Sequence, residues 1–254
     1  MVRSRKRIFL LGASGVIGDI ILEGLSSKYD FILADIERKR SDSTFPYLQV
    51  DASSYKDLYK SVPKDTDIII NLVALPEMPE VVDIETMDQM TDVYLKASYN
   101  TLTIARELNI KKVIFASSNH VTDVYENEGN SLLENEITSE DYPYSRGVYG
   151  VLKLASENLG YVFHHHYGMS IVNLRIGTVK KNEKEAVKRD QRITKTLLSS
   201  VDAVELFEKT IESSVAFGTY YGVSDNPGKP WSIENAEKEI HYQSKVNTSH
   251  ILQD

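Results

Sequence analysis

The chain has 254 residues, of which 41% are hydrophobic and 26% charged, and its formal net charge is −8 at pH 7. This size and composition fit one large α/β domain, and the acidic excess argues against nucleic acid or an anionic membrane surface as a partner. No cysteine is present, which excludes disulfides and thiolate metal sites and fits a reducing cytoplasm. No apolar stretch has the length of a membrane span, and no leader-like apolar run opens the sequence, so we expect a cytoplasmic protein.

The first motif is a strand–turn–helix at residues 7–22. An uninterrupted apolar run at residues 8–11 is typical of a strand buried on both faces, and an apolar-periodic helix follows it. Between the two lie Gly12, Gly15 and Gly18. We expect the first glycine to permit a tight turn, the second to let a pyrophosphate approach the backbone, and the third to pack the helix against the strand. The stretch predicts a dinucleotide site.

Asp35 ends the second predicted strand and bears on which dinucleotide binds. It lies 17 positions after Gly18, near the spacing of a carboxylate that accepts the adenosine ribose hydroxyls. The following Arg38-Lys39-Arg40 offers the alternative of a bound 2′-phosphate, but Asp35 would repel that phosphate, so we favour NAD over NADP. A solvated acid at a strand end is the other interpretation of Asp35. Asp51, after the third strand, is expected to meet the adenine amino group.

Predicted strands and helices alternate along the first half of the chain without a hairpin signal. This pattern specifies parallel βαβ units and a doubly wound sheet whose ligands bind at the carboxyl ends of the strands. Residues 119–146 are expected to form an irregular wall of the active site, and the charge-dense residues 179–192 a flexible segment. The predicted strands cover residues 7–11, 31–35, 47–51, 67–74, 112–116, 170–175 and 220–223. The predicted helices cover residues 54–61, 87–108, 147–167, 201–213 and 232–240, with Ser54 and Ser200 as caps and a break at Pro76–Pro79.

Tyr149 and Lys153 form the sharpest chemical signal. Side chains at i and i+4 of a helix lie on one face, and a nearby ammonium favours a phenolate, which lowers the pKa of the tyrosine toward the working range of a general base. Ser117-Ser118-Asn119-His120 leaves the end of the fifth strand, where a serine hydroxyl reaches the substrate oxygen that the tyrosine deprotonates. Separately, each signal is also typical of a surface pair or a polar turn.

Together, the glycine loop, the serine and the Tyr-x-x-x-Lys pair resemble the extended short-chain dehydrogenase/reductase superfamily, the NAD-dependent epimerases and dehydratases, over essentially the whole chain. The segments that narrow the resemblance are residues 115–120, 149–151, 174–177 and 221–226. They are similar to the uronate dehydrogenases and the archaeal NAD-dependent glucose-6-phosphate dehydrogenases, which oxidise C1 of a cyclic sugar to a lactone. The resemblance implies a Rossmann-type fold in one domain over residues 1–254, in which residues 177–254 contribute a small substrate-binding lobe.

The resemblance also implies the site residues. Ser118 would be the catalytic serine, Tyr149 the base and Lys153 its partner, while Arg192 would bind a carboxylate or a phosphate of the substrate. The expected cofactor contacts are Gly12, Ser14, Gly15, Val16, Ile17, Gly18, Asp35, Ile36, Asp51, Ala52, Leu72, Val73, Ala74, Tyr149, Lys153 and Ile176. The expected substrate contacts are Ser118, Asn119, His120, Tyr149, Thr178 and Arg192.

Departures from the family pattern keep two other functions open. Tyr94 stands where the superfamily usually has an asparagine, Leu152 where a serine commonly precedes the lysine, and Asn71 where a histidine is frequent. The alternatives are a sugar-nucleotide epimerase or dehydratase and a non-catalytic NAD-sensing regulator. No metal is expected, because consecutive histidines such as His164–His166 point in different directions on a helix. Related proteins are homo-oligomers, so we expect one here.

Overall fold

The chain is described from a computed structural model that covers residues 5–37, 44–75 and 81–253. Within these ranges, seven strands form one parallel sheet and two short strands form an antiparallel hairpin. The strands are β1 (Arg7–Leu11), β2 (Asp30–Asp35), β3 (Tyr47–Gln49), β4 (Ile68–Asn71), β5 (Lys112–Ser118), β6 (Glu126–Asn127), β7 (Asn130–Ser131), β8 (Ser170–Ile176) and β9 (Phe217–Gly222).

Helices pack on both faces of the sheet and also follow its last strand. They are α1 (Val16–Leu25), α2 (Tyr55–Ser61), α3 (Ile84–Met90), α4 (Ala97–Glu107), α5 (Val148–Tyr167), α6 (Glu183–Arg189), α7 (Ile193–Thr196), α8 (Ser200–Glu212), α9 (Glu234–Ile240) and α10 (Thr248–Gln253). A π-helical turn, Thr91–Lys96, joins α3 to α4, and a 3-10 helix, Asn119–Tyr125, follows β5.

The strand order in the sheet is β3-β2-β1-β4-β5-β8-β9, with every pairing parallel. Alternate residues of β1 enter two separate cores. Ile8 and Leu10 pack on the side of α1 and α8, and Phe9 and Leu11 pack on the side of α2, α4 and α5. The sheet is therefore doubly wound, which confirms the predicted α/β fold, and the continuous apolar runs exist because each strand is covered on both faces.

The carboxyl ends of the strands converge at one edge of the sheet. Strand order reverses between β1 and β4, which is the position where such sheets bind ligands. Ser118 at the end of β5 pairs in register with Ile176, which pairs in turn with Gly222 of β9. The sequence after residue 176 thus contributes a strand of the main sheet as well as the segments that follow it.

Several predicted boundaries are wrong for local reasons. The helix predicted over 87–108 begins at residue 84, capped by Asp83, and contains the π-helical turn. The segment 179–192, predicted to be flexible, contains α6, whose cap Asn182 accepts a hydrogen bond from Glu185 N. Ser199, one residue earlier than predicted, caps α8 by accepting from Asp202 N.

Other features stand outside those predictions. The hairpin of β6 and β7 and the last helix, α10, have no counterpart among the predicted elements. The predicted cap Ser54 is confirmed by a hydrogen bond accepted from Asp57 N. Arg38-Lys39-Arg40 and the Pro76–Pro79 break lie outside the described residues. In the part of the chain that the structure describes, no helix has the length and apolarity to cross a membrane.

Candidate functional site

The glycine loop lies at the switch point of the sheet. Gly12 has φ +81°, and a Cβ at this position would lie 2.7 Å from the carbonyl carbon of Leu72, so only glycine fits the turn. A Cβ at Gly18 would overlap the carbonyl oxygen of Ala13, which is why α1 can cross so close to β1. A Cβ at Gly15 would instead make only an ordinary van der Waals contact, with Gly12 O at 3.7 Å. The loop therefore offers exposed backbone at the start of α1, which fits a pyrophosphate.

Asp35 is fixed beside this loop. Its carboxylate accepts hydrogen bonds from Ser14 N at 2.9 Å and from Ile36 N at 2.8 Å. The hydroxyls of Ser14 and Tyr47 share a hydrogen bond, and Tyr47 Oη also donates to Glu37 O at 3.0 Å. Strand pairing of β2 with β1 thus brings the acid to the loop, in the position where ribose hydroxyls of a dinucleotide are bound.

The other predicted cofactor residues line the same edge. The Asp51 carboxylate accepts from Ser53 N and Ser53 Oγ, both at 2.8 Å, in a turn after β3, next to Ala52. Beyond β4, Leu72 is buried beneath Gly12, Val73 N donates to Asn71 Oδ1 at 3.0 Å, and Ala74 is exposed. The chain leaving β4 therefore passes directly beside the glycine loop.

Ser118, Tyr149 and Lys153 come together at the end of β5. The Ser118 side chain lies close enough to Tyr149 to lower the pKa of its phenol. Lys153 Nζ, one turn further along α5, donates to Ala116 O at 2.7 Å and lies 5.7 Å from the centre of the Tyr149 ring. A Cβ on Gly150 would overlap the carbonyl oxygen of His120, so this glycine lets α5 approach the 3-10 helix. The three predicted catalytic residues are therefore adjacent.

Burial dominates the electrostatics of these groups. It raises the pKa of Tyr149, Tyr94 acts in the same direction, and the hydrogen bond with Ser118 opposes both. Burial lowers the pKa of Lys153 to about 8, against the opposite influence of Glu157. The pKa of Tyr149 thus moves in the direction opposite to the one predicted from Lys153, because the cost of burying a phenolate outweighs the other effects.

The 3-10 helix carries the polar residues predicted to contact a sugar. Asn119 is 4% exposed, and its Oδ1 accepts from Ser118 Oγ at 3.3 Å. The His120 ring lies 5.7 Å from the Tyr149 ring, and its Nδ1 is 2.9 Å from Asp123 Oδ2. His120 therefore lies beside the hydroxyl-bearing tyrosine, while the Asn119 side chain packs against the serine.

Arg192 is paired rather than solitary. Its Nη2 lies 2.9 Å from Glu126 Oε2, and the side chain of Glu126 is 5% exposed. Arg146 connects this pair to Asp123. Its Nη2 donates to Glu126 O and its backbone N donates to Asp123 Oδ1, both at 2.7 Å. Asp123 in turn holds His120. Arg192 thus belongs to a wall of polar contacts that ends at the predicted sugar-contacting residues.

Thr178 belongs to the other side of this wall. Its Oγ1 is 2.9 Å from Thr196 Oγ1, and its backbone forms a bridge with Leu197. Ile176 is buried at the end of β8. Among the described residues, the side-chain partner of Thr178 is Thr196 and that of Arg192 is Glu126.

A buried charged network behind the site is absent from the predictions. Glu157 accepts from Arg175 Nε at 3.0 Å and Nη2 at 2.8 Å, and both side chains are at most 7% exposed. Ser117 Oγ also donates to Glu157, and Arg175 Nη1 donates to Tyr221 Oη at 3.2 Å. Two signals point to this network: Glu157 follows Lys153 by one helical turn, and Arg175 interrupts an otherwise apolar strand.

Comparison with known proteins assigns the class. Residues 8–215 match the NAD dependent epimerase/dehydratase family, and the chain belongs to this family. The glycine loop and the Rossmann-type sheet are consistent with that membership, and the predicted cofactor, NAD, is confirmed. Among the described residues, no group of three or more His, Cys, Asp or Glu side chains is arranged to hold a metal ion.

Particular relatives follow from the same comparison. The chain is 46% identical to the uncharacterized protein YtbQ of Bacillus subtilis, with 97% of each chain covered. It is 28% identical to the NAD-dependent glucose-6-phosphate dehydrogenase of Haloferax volcanii, over 95% of this chain and 94% of the relative. The uronate dehydrogenase of Agrobacterium tumefaciens has the same fold, with a TM-score of 0.82 at 21% identity over 99% of this chain and 88% of the other. The predicted resemblance is confirmed.

Proposed function

We propose that this chain is an NAD-dependent dehydrogenase that oxidises C1 of an anionic cyclic sugar, a hexuronate or a hexose 6-phosphate, to the lactone. The observation that carries the proposal is that Ser118, Tyr149 and Lys153 lie together at the edge of the sheet that also carries the glycine loop. The residues fit a dinucleotide: the loop from Gly12 to Gly18 would hold the pyrophosphate, and Asp35 the adenosine ribose.

Each catalytic side chain has one task. Tyr149 Oη, as a phenolate, takes the proton of the C1 hydroxyl, and Ser118 donates a hydrogen bond to that oxygen as the carbonyl forms. The ammonium of Lys153, together with the positive charge that bound NAD would bring, would offset part of the cost of burying the phenolate charge. When bound, NAD supplies the nicotinamide that accepts the hydride leaving C1. The carbonyl product is the lactone.

Arg192 is proposed to bind the anionic group of the substrate. Its guanidinium suits a carboxylate or a phosphate equally, and its hydrogen bonds to Glu126 use Nε and Nη2. Relatives that are named for glucose 6-phosphate and for uronate support these two substrate classes, whereas another relative is named for L-arabinose, which carries no charge. His120 and Asn119 are proposed to contact sugar hydroxyls.

The test is a spectrophotometric assay of nicotinamide reduction. Purified protein is mixed with NAD or NADP and, in turn, glucuronate, galacturonate, glucose 6-phosphate and glucose. We expect reduction of NAD with at least one anionic sugar and no reduction in the Tyr149→Phe variant, whose affinity for NAD, measured by calorimetry, is unchanged. Turnover by Tyr149→Phe at the wild-type rate would contradict the assignment of the base.

Absence of reduction with all four sugars would contradict the dehydrogenase function. The sequence favours oxidation over the dehydratase alternative, because Ser118 is followed by Asn119 and His120, whereas dehydratases usually carry a Thr-Asp-Glu segment there. Incubation with sugar nucleotides, followed by NMR of the products, separates these outcomes, since an epimerase returns its cofactor oxidised after each turnover.

A further inference from the structure

Tyr94 lies directly beneath the catalytic pair. It is 1% exposed and belongs to the π-helical turn Thr91–Lys96. Such turns are rare in proteins, and those that occur are often found at functional sites. Its ring meets the Tyr149 ring edge to face, with the ring centres 5.1 Å apart. The side chain thus occupies the space between the helix before β5 and the first turn of α5.

The face of the Tyr94 ring is turned to Lys153. Lys153 Nζ lies 4.9 Å from the centre of the Tyr94 ring, which is closer than its 5.7 Å to the centre of the Tyr149 ring. The lysine is 7% exposed, and its described hydrogen bond goes to Ala116 O. A buried ammonium has lost most of its water, and the negative face of an aromatic ring compensates for part of that loss.

Other contacts hold Tyr94 in this position. Its hydroxyl accepts from Leu75 N at 2.9 Å, in the chain that leaves β4. Its carbonyl oxygen accepts from Ser156 Oγ at 2.7 Å and from Ser98 Oγ at 2.6 Å. Ser156 lies on α5, so the tyrosine is hydrogen-bonded both to the segment that follows β4 and to the helix that carries Lys153.

We propose that Tyr94 is a positioning residue of this site. Its ring holds the Lys153 ammonium beside Tyr149, and its hydroxyl holds the chain at Leu75, after β4, next to the residues predicted to contact the cofactor. The proposal rests on the proposed function for the roles of Tyr149 and Lys153. It assigns two separable tasks to one side chain, because the ring and the hydroxyl contact different elements. Removing the hydroxyl and removing the ring should therefore have different consequences.

The ring is expected to favour the charged form of Lys153. Burial already lowers the pKa of this lysine to about 8, so losing the aromatic face should lower it further. Loss of the ring then moves the alkaline limb of the activity profile to lower pH, since the amine is neutral over more of the range. The titratable and charged groups that face Lys153 from the surrounding elements are Tyr94, Tyr149 and Glu157, with Arg175 paired to Glu157 and His120 beside Tyr149.

The experiment compares Tyr94→Phe and Tyr94→Leu with wild type. The first readout needs no substrate: the ¹³Cε resonance of Lys153, assigned by its loss in Lys153→Met, is titrated with pH. In Tyr94→Leu we expect a proton affinity of Lys153 about tenfold lower than in wild type, and in Tyr94→Phe a value close to wild type. Tyr242→Leu, another fully buried tyrosine, whose hydroxyl donates to Val223 O, is the matched control for general loosening of the core.

The second readout is kinetic, with the substrate found for wild type. We expect Tyr94→Leu to lower kcat at least tenfold and to shift its alkaline limb, whereas Tyr94→Phe keeps kcat and its pH profile and raises KM for NAD. An unchanged Lys153 titration in Tyr94→Leu, or the same shift in Tyr242→Leu, would overturn the proposal. Failure of wild type to oxidise any sugar would count against the proposed function alone, because the NMR titration decides on Tyr94 independently.

Discussion

The buried pair of Glu157 and Arg175 allows a quantitative prediction about stability. The substitution Glu157→Gln keeps the shape of the side chain and removes its charge. It leaves the Arg175 guanidinium, whose side chain is 5% exposed, with only neutral partners such as Tyr221. Removing one partner of a buried ion pair costs about 3–5 kcal/mol. Because the Gln amide oxygen still accepts a hydrogen bond from Arg175, we expect Glu157→Gln to lose about 3 kcal/mol of stability. For a chain of this length, that loss lowers the Tm by about 6–12 °C.

The assay is reversible urea or thermal unfolding followed by circular dichroism. The double variant Glu157→Leu/Arg175→Met removes both charges, and we expect it to lose less stability than Glu157→Gln alone, because no uncompensated charge remains. Glu234→Gln breaks the exposed pair with Lys238, whose side chains are 71% and 73% exposed, and should leave the unfolding curve unchanged. A Glu157→Gln unfolding curve that coincides with wild type would refute the reasoning. A double variant that is less stable than Glu157→Gln would also refute it.

Three further predictions concern the cofactor, the substrate and pH. Asp35→Ser should lower the ratio of kcat/KM for NAD to that for NADP by at least about tenfold, since the ribose hydroxyls lose their acceptor and the repulsion of a 2′-phosphate disappears; an unchanged ratio would contradict the assignment. Glu126→Gln leaves the Arg192 charge uncompensated, so KM for an anionic sugar should fall by about fivefold while KM for glucose stays constant; equal changes for both sugars would contradict the placement of Arg192. Burial lowers the pKa of Lys112 to about 8, below the 10.5 that is ordinary for a lysine. Between these two values the folded state binds fewer protons than the unfolded state, so the free energy of unfolding of wild type relative to Lys112→Met should rise with pH. Parallel pH profiles would contradict that sign.

Local patterns made much of the fold predictable. The glycine loop, the apolar strands and the helix carrying Tyr149 and Lys153 each follow from residues close together in the sequence. Helix α5 runs over residues 148–167, against a prediction of 147–167, because Gly147 and Gly168 flank a continuous helical pattern. Topology then places these separate motifs at one edge of the sheet, since parallel strands share the direction of their carboxyl ends.

Features that depend on contacts between distant residues were not predictable. Arg192 belongs to a charge-dense segment of the sequence, and its partner Glu126 lies 66 positions earlier in the chain. The π-helical turn contains Tyr94, which contacts Leu75 and α5, and the helical periodicity of residues 87–108 carries no signal of this turn. The direction of the pKa of Tyr149 depends on burial, which the spacing of Tyr149 and Lys153 does not reveal.

The transfer of hydrogen from C1 of the sugar to NAD is the central claim. The most direct measurement uses the sugar that supports turnover, with deuterium at C1, and mass spectrometry of both products. The account predicts that the reduced nicotinamide carries the deuterium and the lactone carries none, and that Tyr149→Phe forms neither product. Deuterium that stays on the sugar, or that is released into water, would contradict it.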